Sequence, residues 1–329
     1  MSTRLTVAVE RFPIAGRFTI ARGAKTEAVV VTVSLEKDGC TGRGECVPYS
    51  RYGETVEGVA RAIESLRPKL EGGMGRDELQ ACLPPGAARN AIDCALWDLE
   101  AKRSGTPVWK LAGLSPLRPV TTAYTISLDS PEAMAEAARK AADRPILKIK
   151  LGAEEGDLER IARVREAAPD SVLIADANEG WTEQNLEAHL SACAEAGFSL
   201  IEQPLPSNRD EVLRSLKSPV PLCADESVHD RASLERLVGL YDYINIKLDK
   251  TGGLTEALAL TKAAEELGLG IMVGCMVGTS LAMAPALLVA TRAKFVDLDG
   301  PILLARDREG GLVFEGSLIH PPSPQLWGS

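Results

Sequence analysis

A chain of 329 residues exceeds one ordinary domain, and 45% hydrophobic with 25% charged residues is the make-up of a water-soluble protein that buries a core. Its net charge of -9 argues against nucleic acid or an anionic membrane as the main partner, because both recruit a basic face. The start MSTRLTVAVERFPIAG lacks the apolar core of a signal peptide, and the apolar run near Leu281 to Ala290 is half a membrane span. Seven cysteines form no CxxC pair, so a cytoplasmic protein with reduced, buried thiols is expected.

Residues 4–9, 26–35 and 41–47 alternate or are rich in β-branched side chains and read as strands, with Lys37-Asp38-Gly39 turning the chain between the last two. Helical patterns follow over residues 55–70 and 88–103, the second (ARNAIDCALWDLEAKR) stopped by Gly105. Strands followed by helices predict an α+β domain over residues 1–118. From Pro119 the texture changes to short strands alternating with amphipathic helices. Strand candidates begin at Val120, Ile146, Val172, Leu200, Pro221, Tyr243 (YINIKLDK), Ile271 and Phe295, 21 to 28 residues apart, room for a strand, a helix and two loops. Helix-period stripes lie between them at residues 132–142, 158–168, 185–196, 234–240, 255–267 and 279–292. Repeated strand-helix units make a parallel sheet, and eight close into a TIM-like barrel, expected over residues 119–300. Residues 301–329 are too short for another domain, and Gly310-Gly311 between apolar stretches predicts a hairpin returning to the first domain.

The ionisable residues fall in a pattern on this frame. Period-two spacing puts Lys148 and Lys150 of ILKIKLG on one face of the second barrel strand. Asp176, Glu202 and Asp225 stand towards the C-terminal ends of the third, fourth and fifth, and Lys247 follows on the sixth. That end of such a barrel holds the active site. Singly, Asp225 suits a helix cap, Glu202 a loop and Lys247 a snorkelling position; together, in register on successive strands, they have no packing explanation. Neighbouring strands lie about 4.8 Å apart, so three carboxylates at matching heights repel unless a cation sits among them. All-oxygen ligation favours Mg²⁺, then Mn²⁺ or Ca²⁺. The second and sixth strands are opposite each other in an eight-stranded barrel, so Lys150 and Lys247 flank whatever the ion holds. Two bases on opposite faces of one carbon suit removal and return of a proton, with Lys148 and the ion stabilising the enolate.

At these residues the chain resembles the enolase superfamily, in its muconate-lactonizing subgroup: the KxK of Lys148 and Lys150, DANEGW from Asp176, IEQP from Ile201, ADES from Ala224 and NIKLDKTGG from Asn245. The resemblance spans the whole chain and implies a (β/α)₇β barrel under an α+β N-terminal capping domain that the C-terminal tail completes. It implies Asp176, Glu202 and Asp225 as ligands of one Mg²⁺ and Lys150, Lys247 and Lys148 as the catalytic lysines. The same constellation serves cycloisomerases, o-succinylbenzoate synthases, N-acylamino acid racemases and dipeptide epimerases. Asp297 and Asp299 in VDLDG share one face of the last strand and resemble the element by which dipeptide epimerases hold the substrate ammonium. IARGAKTEA, GECVPYSRYGET and PPGAARNAIDCALWDLEA resemble the L-Ala-D/L-Glu epimerases of peptidoglycan recycling. That likeness implies Arg22 as partner of the glutamate side chain, with Lys25 and Arg51 as alternatives in the same cap loops.

The expected activity is therefore a two-base, Mg²⁺-dependent 1,1-proton transfer at the C-terminal residue of a dipeptide. Its rivals are the other reactions of the superfamily and, from a different class, a Mg²⁺ phosphohydrolase. The latter has no use for lysines on opposite strands and no visible phosphate cradle. The partner is a small dipeptide; a homo-oligomer is compatible with the sequence. His189, His229 and His320 receive no chemistry, Trp181 packs a loop, and nothing in the sequence says what Thr279 and Ser280 contact.

Overall fold

The computed structural model describes residues 3–328. Three antiparallel strands open the chain: β1 (Arg4–Ile20), β2 (Gly23–Lys37) and β3 (Cys40–Cys46), in that order across the sheet. β1 runs far beyond the expected residues 4–9, through Pro13 and Gly16. The pairing with β2 holds through Pro13, opposite Glu27, and shifts register before Phe18, a bulge that takes in Gly16. Because β1 is the sheet edge, the missing N–H of Pro13 costs no ladder bond.

The expected helix over residues 55–70 is two, α1 (Val56–Ser65) and α2 (Arg67–Glu71), split where Pro68 enters the first turn of the second. Thr55 caps α1 by accepting from the Gly58 N–H at 3.0 Å. Then come α3 (Arg76–Cys82), α4 (Ala87–Ser104) and α5 (Val108–Leu111). α4 ends at Gly105 as expected, in the left-handed conformation of a C-cap, and packs on β3.

The second unit alternates β4 (Val120–Thr121), β5 (Tyr124–Ile126), α6 (Pro131–Lys140), β6 (Ile146–Lys150), α7 (Asp157–Ala167), β7 (Val172–Asp176), α8 (Glu183–Glu195) and β8 (Phe198–Glu202). It continues with β9 (Leu222–Ala224), α9 (Leu234–Leu237), β10 (Tyr243–Ile246), α10 (Leu248–Thr251), α11 (Leu254–Glu266), β11 (Gly270–Val273), α12 (Ser280–Ala290) and β12 (Phe295–Val296). Between β8 and β9, the shortest spacing, a 3₁₀ turn at Asp210–Ser215 replaces a full helix. Strands β5 to β12 form one parallel sheet in sequential order. Its ends meet where the Ala123 N–H donates to Val296 O at 2.8 Å, closing the barrel.

The expected hairpin at Gly310-Gly311 lies six residues later. β13 (Phe314–Glu315) and β14 (Leu318–Ile319) turn through Gly316-Ser317, and β14 pairs with β4, not with the cap sheet. A two-residue Gly-Ser loop between apolar pairs is the stronger hairpin signal. Other tail residues do reach the cap: Leu304 bridges to Ile14, and the Gly328 N–H donates to Asp98 at 2.8 Å.

The barrel interior is layered. Ile174, Leu200, Cys223, Met272 and Phe295 plug its lower part, with Ile146 and Tyr243 against them. Two residues further along each strand the same inward face carries Lys148, Asp176, Glu202, Asp225, Asn245 and Asp297. The apolar plug excludes water from beneath a charged mouth.

Candidate active site

Strand register sets the heights of the acids. Lys150 stands opposite Asp176, Asp176 opposite Glu202, and Glu202 opposite Cys223, so Asp225 rises two residues past that rung. Lys148, Asp176 and Glu202 are at most 1% exposed, and Asp225, Lys150 and Lys247 at most 6%. Such burial is sustained only by pairing. Lys148 Nζ lies 2.7 Å from Asp297, 2.7 Å from Glu202 and 3.1 Å from Asp176. Lys150 Nζ lies 2.5 Å from Asp176 and Lys247 Nζ 2.6 Å from Asp225.

These pairs govern the charges. Burial opposes the ammonium of Lys148, but Asp297, Glu202 and Asp176 outweigh it and hold the group well above the usual lysine range. Burial likewise opposes Asp225, and Lys247 and Lys250 overcome it, holding its carboxyl well below the carboxylate range. Glu202 has no such surplus of cations: burial, then the Asp176 charge, push it up to about 7.

The donor set fits a hard divalent ion. Three carboxylates on consecutive strands supply oxygens only. Glu202 Oε2 sits 2.7 Å from Lys148 Nζ but outside hydrogen-bond geometry, and so has no hydrogen-bond partner among the described residues. Among those residues no three acid, imidazole or thiol side chains already form an ion cage; each acid is drawn onto a lysine instead. Asp176, Glu202 and Asp225 are the residues that would hold Mg²⁺.

A cavity of about 690 Å³ opens above them, lined by Lys148, Lys150, Asp225, Lys247, Asp297 and Asp299, and roofed by the cap. Lys150 on β6 and Lys247 just past β10 are four strands apart in the closed barrel. The lysine that pairs with Asp297 is not its sequence neighbour Lys294 but Lys148, which reaches it over β5. Asp297 Oδ1 has no hydrogen-bond partner among the described residues, while Asp299 Oδ2 accepts from the Thr125 N–H at 2.7 Å. Burial, then the Asp297 charge, push Asp299 up to about 7.

Arg22 sits in the turn between β1 and β2 and ties the cap to the barrel mouth. Its Nη1 donates to Asn178 O at 2.7 Å, its Nη2 to Glu226 at 2.6 Å and to the Tyr49 hydroxyl at 3.1 Å. Arg51 grips Glu179 with two bonds of 2.8 Å, and Lys25 Nζ lies 5.4 Å from the Tyr49 ring centre. All three cations line the cavity. Trp181 is buried, stacks on His189 and donates to Asp157, a packing role as expected. Thr279 bonds Glu45, which with Arg308 and Glu10 joins barrel, cap and tail; Ser280 bonds Asp307.

Lys250 and Asn245 escaped the sequence reading. Asn245 Nδ2 donates to Glu202 at 2.7 Å, and Lys250 Nζ, 1% exposed, lies 2.5 Å from Asp225 Oδ1. The stretch YINIKLDK reads as a strand to its end, which puts Lys247 and Lys250 on opposite faces. The strand stops at Ile246 and α10 begins at once, and the three-residue spacing of a helical turn brings both lysines onto Asp225.

Beside this site, Asp249 is buried against the cap, where its Oδ1 accepts from Asn90 Nδ2 and the Val47 N–H. Burial lifts its carboxyl from 3.8 up to about 7, so the native chain binds that proton more tightly than the unfolded one. Stability then falls as pH rises from about 4 to 7, by up to about 1.4 kcal/mol per unit for this group. Asp249→Asn removes the effect, so its melting temperature gains on the wild type as pH rises from 5 to 8. Parallel melting curves across that range would count against it.

Residues 133–322 match the family described as Enolase C-terminal domain-like, and residues 2–113 match the Mandelate racemase / muconate lactonizing enzyme, N-terminal domain. An L-Ala-D/L-Glu epimerase of Escherichia coli is 46% identical over 94% of this chain and 97% of its own. An N-acetyl-D-glutamate racemase of Pseudoalteromonas is 43% identical over 91% and 95%. A solved structure of an enolase family member from Agrobacterium tumefaciens, described as homologous to dipeptide epimerases and bound to sodium and L-Ala-L-Glu, is 55% identical. It superposes with a TM-score of 0.98 over 99% of this chain and 100% of that one. A dipeptide epimerase from Enterococcus faecalis, complexed with Mg and L-Leu-L-Tyr, is 30% identical with a TM-score of 0.91 over 100% and 99%. By both of its parts and nearly all of its length, the chain belongs to the enolase superfamily, in the mandelate racemase / muconate lactonizing enzyme branch.

Proposed function

We propose that the protein is a Mg²⁺-dependent dipeptide epimerase that interconverts L-Ala-D-Glu and L-Ala-L-Glu, serving peptidoglycan recycling in the cytoplasm. The observation that carries this reading is the pair of buried lysines, Lys150 and Lys247, lining one cavity from strands four apart with the three acids between them. When bound, the ion supplies positive charge to the substrate's terminal carboxylate. Lys150, as the amine, takes the α-proton from one face, and the electron pair delocalises into that carboxylate. Lys247, as the ammonium, returns a proton to the other face, and the reverse reaction exchanges the two roles. Lys148 remains an ammonium under three carboxylates and adds fixed charge where the enolate oxygen develops. The unpartnered Oδ1 of Asp297 accepts from the substrate ammonium, with Asp299 beside it. Arg22 faces the glutamate side chain from the roof. Seven free thiols support a reducing compartment.

Proton NMR in D₂O tests the reading: with Mg²⁺, the glutamate α-proton of L-Ala-L-Glu disappears as the diastereomer grows in. Glutamate is expected to exchange fastest in a panel of L-Ala-L-Xaa dipeptides; no exchange with any of them would sink it. The 43% identity to an N-acetyl-D-glutamate racemase favours one second reading, racemisation of an N-acylated glutamate. That substrate has no ammonium. Asp297→Asn with Asp299→Asn is therefore expected to lower dipeptide turnover by about 100-fold, the loss of two charge-assisted bonds. Undiminished dipeptide turnover in this double variant would point to the N-acyl substrate.

A further inference from the structure

Three residues along α4 of the cap grip the turn that carries Lys247. Asn90 Nδ2 donates to Asp249 Oδ1 at 2.8 Å, and the same oxygen accepts from the Val47 N–H at 3.0 Å. Arg89 donates from Nε to Gly252 O at 3.1 Å and from Nη2 to Thr251 O at 2.7 Å. Asp93 accepts from the Thr255 N–H at 2.9 Å and its hydroxyl at 2.6 Å. From the barrel side, Lys250 Nζ donates to Asp225 O at 2.5 Å and to Asn245 O at 3.0 Å.

The turn needs these anchors. α10 is four residues long, and one helical turn fixes more backbone than its own hydrogen bonds repay. Gly252 and Gly253, at φ 73° and 110°, are shaped for the cap. A Cβ on Gly252 would stand 2.4 Å from Arg89 Nε, and one on Gly253 2.5 Å from Asp93 Cβ. The chain after Lys247 thus has a backbone that only glycine adopts easily and a surface that only glycine leaves open to α4. Neither Asn90 nor Asp249 lines the cavity.

We infer that Asn90 and Asp249 are positioning residues for Lys247: the cap helix, through this pair, fixes where the Lys247 amine stands against one face of the substrate. The inference rests on the two-base reading above. It differs from a simple docking role in what it does to the two directions of the reaction. Lys150 is held by Asp176 on the other side of the barrel, and among the described residues no hydrogen bond or ion pair joins it to α4. Loosening the Lys247 turn therefore harms proton abstraction from one diastereomer and spares the other, whereas a loss of cap docking or of folded protein lowers both together.

The experiment measures initial α-proton exchange of L-Ala-L-Glu and of L-Ala-D-Glu in D₂O with Mg²⁺, for the wild type, Lys247→Ala, Asn90→Ala, Asp249→Leu and Asp249→Asn. Their ratio does not depend on how much enzyme is folded. Lys247→Ala identifies the diastereomer that this lysine serves. Asn90→Ala and Asp249→Leu are expected to shift the ratio by about 10-fold or more in the same sense, as a misplaced catalytic group does. Asp249→Asn keeps an acceptor for both donors and should keep the wild-type ratio. Equal loss on both diastereomers, or no change, in Asn90→Ala and Asp249→Leu would overturn the inference while the lysine assignment stands. If Lys247→Ala itself leaves the ratio unmoved, the two-base reading falls and takes this inference with it.

Discussion

Lys247→Ala and Lys150→Ala are each expected to lower epimerisation by about 10²–10⁴-fold, the usual contribution of a positioned acid or base. Each is also expected to retain α-proton exchange from the diastereomer whose proton the surviving lysine reaches. That lysine takes the proton, trades it with solvent and returns deuterium to the same face, so label enters without inversion. The fold should survive both changes. Without Lys247, Asp225 keeps Lys250 at 2.5 Å; without Lys150, Asp176 keeps Lys148 at 3.1 Å. Neither acid is left buried and unpaired, which is the costly outcome. Mass spectrometry of each diastereomer from D₂O reads the result. Epimerisation near the wild-type rate in either variant would refute the two-base assignment, and loss of label from both diastereomers in both variants would mean that each lysine is needed for every proton transfer.

The constellation of lysines and acids was legible because most of it sits on barrel strands or one residue past them: Lys148, Lys150, Asp176 and Glu202 on β6, β7 and β8, and Asp225, Lys247 and Asp297 directly after β9, β10 and β12. Period-two spacing alone puts Lys148 with Lys150, and an acid at or just past the end of each of three consecutive strands needs no knowledge of loops; Asp299, read as a strand residue, lies beyond β12 at the start of a 3₁₀ turn and lines the cavity from there. The barrel followed from the regular spacing of strand starts, and the cap from strands preceding helices. What the sequence hid depends on where regular structure stops. Lys250 was invisible because the strand reading ran through it, whereas the chain turns helical directly after Lys247. No sequence pattern links Asp297 to Lys148, its partner 149 positions away and across an intervening strand. Proline and glycine usually end a strand, but β1 is an edge strand that pairs through Pro13 and takes up Gly16 in a bulge.

The cap loops show the same limit from the other side. Arg22 was expected to face a substrate carboxylate, and in the structure its two Nη groups also bond Glu226, Asn178 and Tyr49. Those partners lie on separate loops, and no periodicity connects them. One guanidinium therefore both latches the roof and presents charge to the cavity, a combination that residue type alone does not reveal.

Glu202→Gln is expected to abolish turnover, by about 10³-fold or more, for a reason separable from folding. A bound ion contributes several kcal/mol of charge stabilisation, and Glu202 is the central one of the three carboxylates proposed to hold it. In the ion-free protein the substitution should cost little. The Glu202 carboxyl is already pushed up to about 7, so near neutral pH it spends much of its time uncharged, as an amide is. Gln can keep the oxygen that accepts from Asn245 Nδ2 at 2.7 Å. The two effects are read in one melting experiment. Adding Mg²⁺ at 100 times its dissociation constant stabilises a protein that binds it only when folded by about 2.7 kcal/mol. Wild type should therefore melt several degrees higher with the ion than after chelation, while Glu202→Gln melts near the chelated wild type under both conditions. An ion-dependent shift of full size in Glu202→Gln would remove this residue from the ligand set. An ion-free variant that no longer folds would show that its carboxylate supports the barrel mouth and not only the ion.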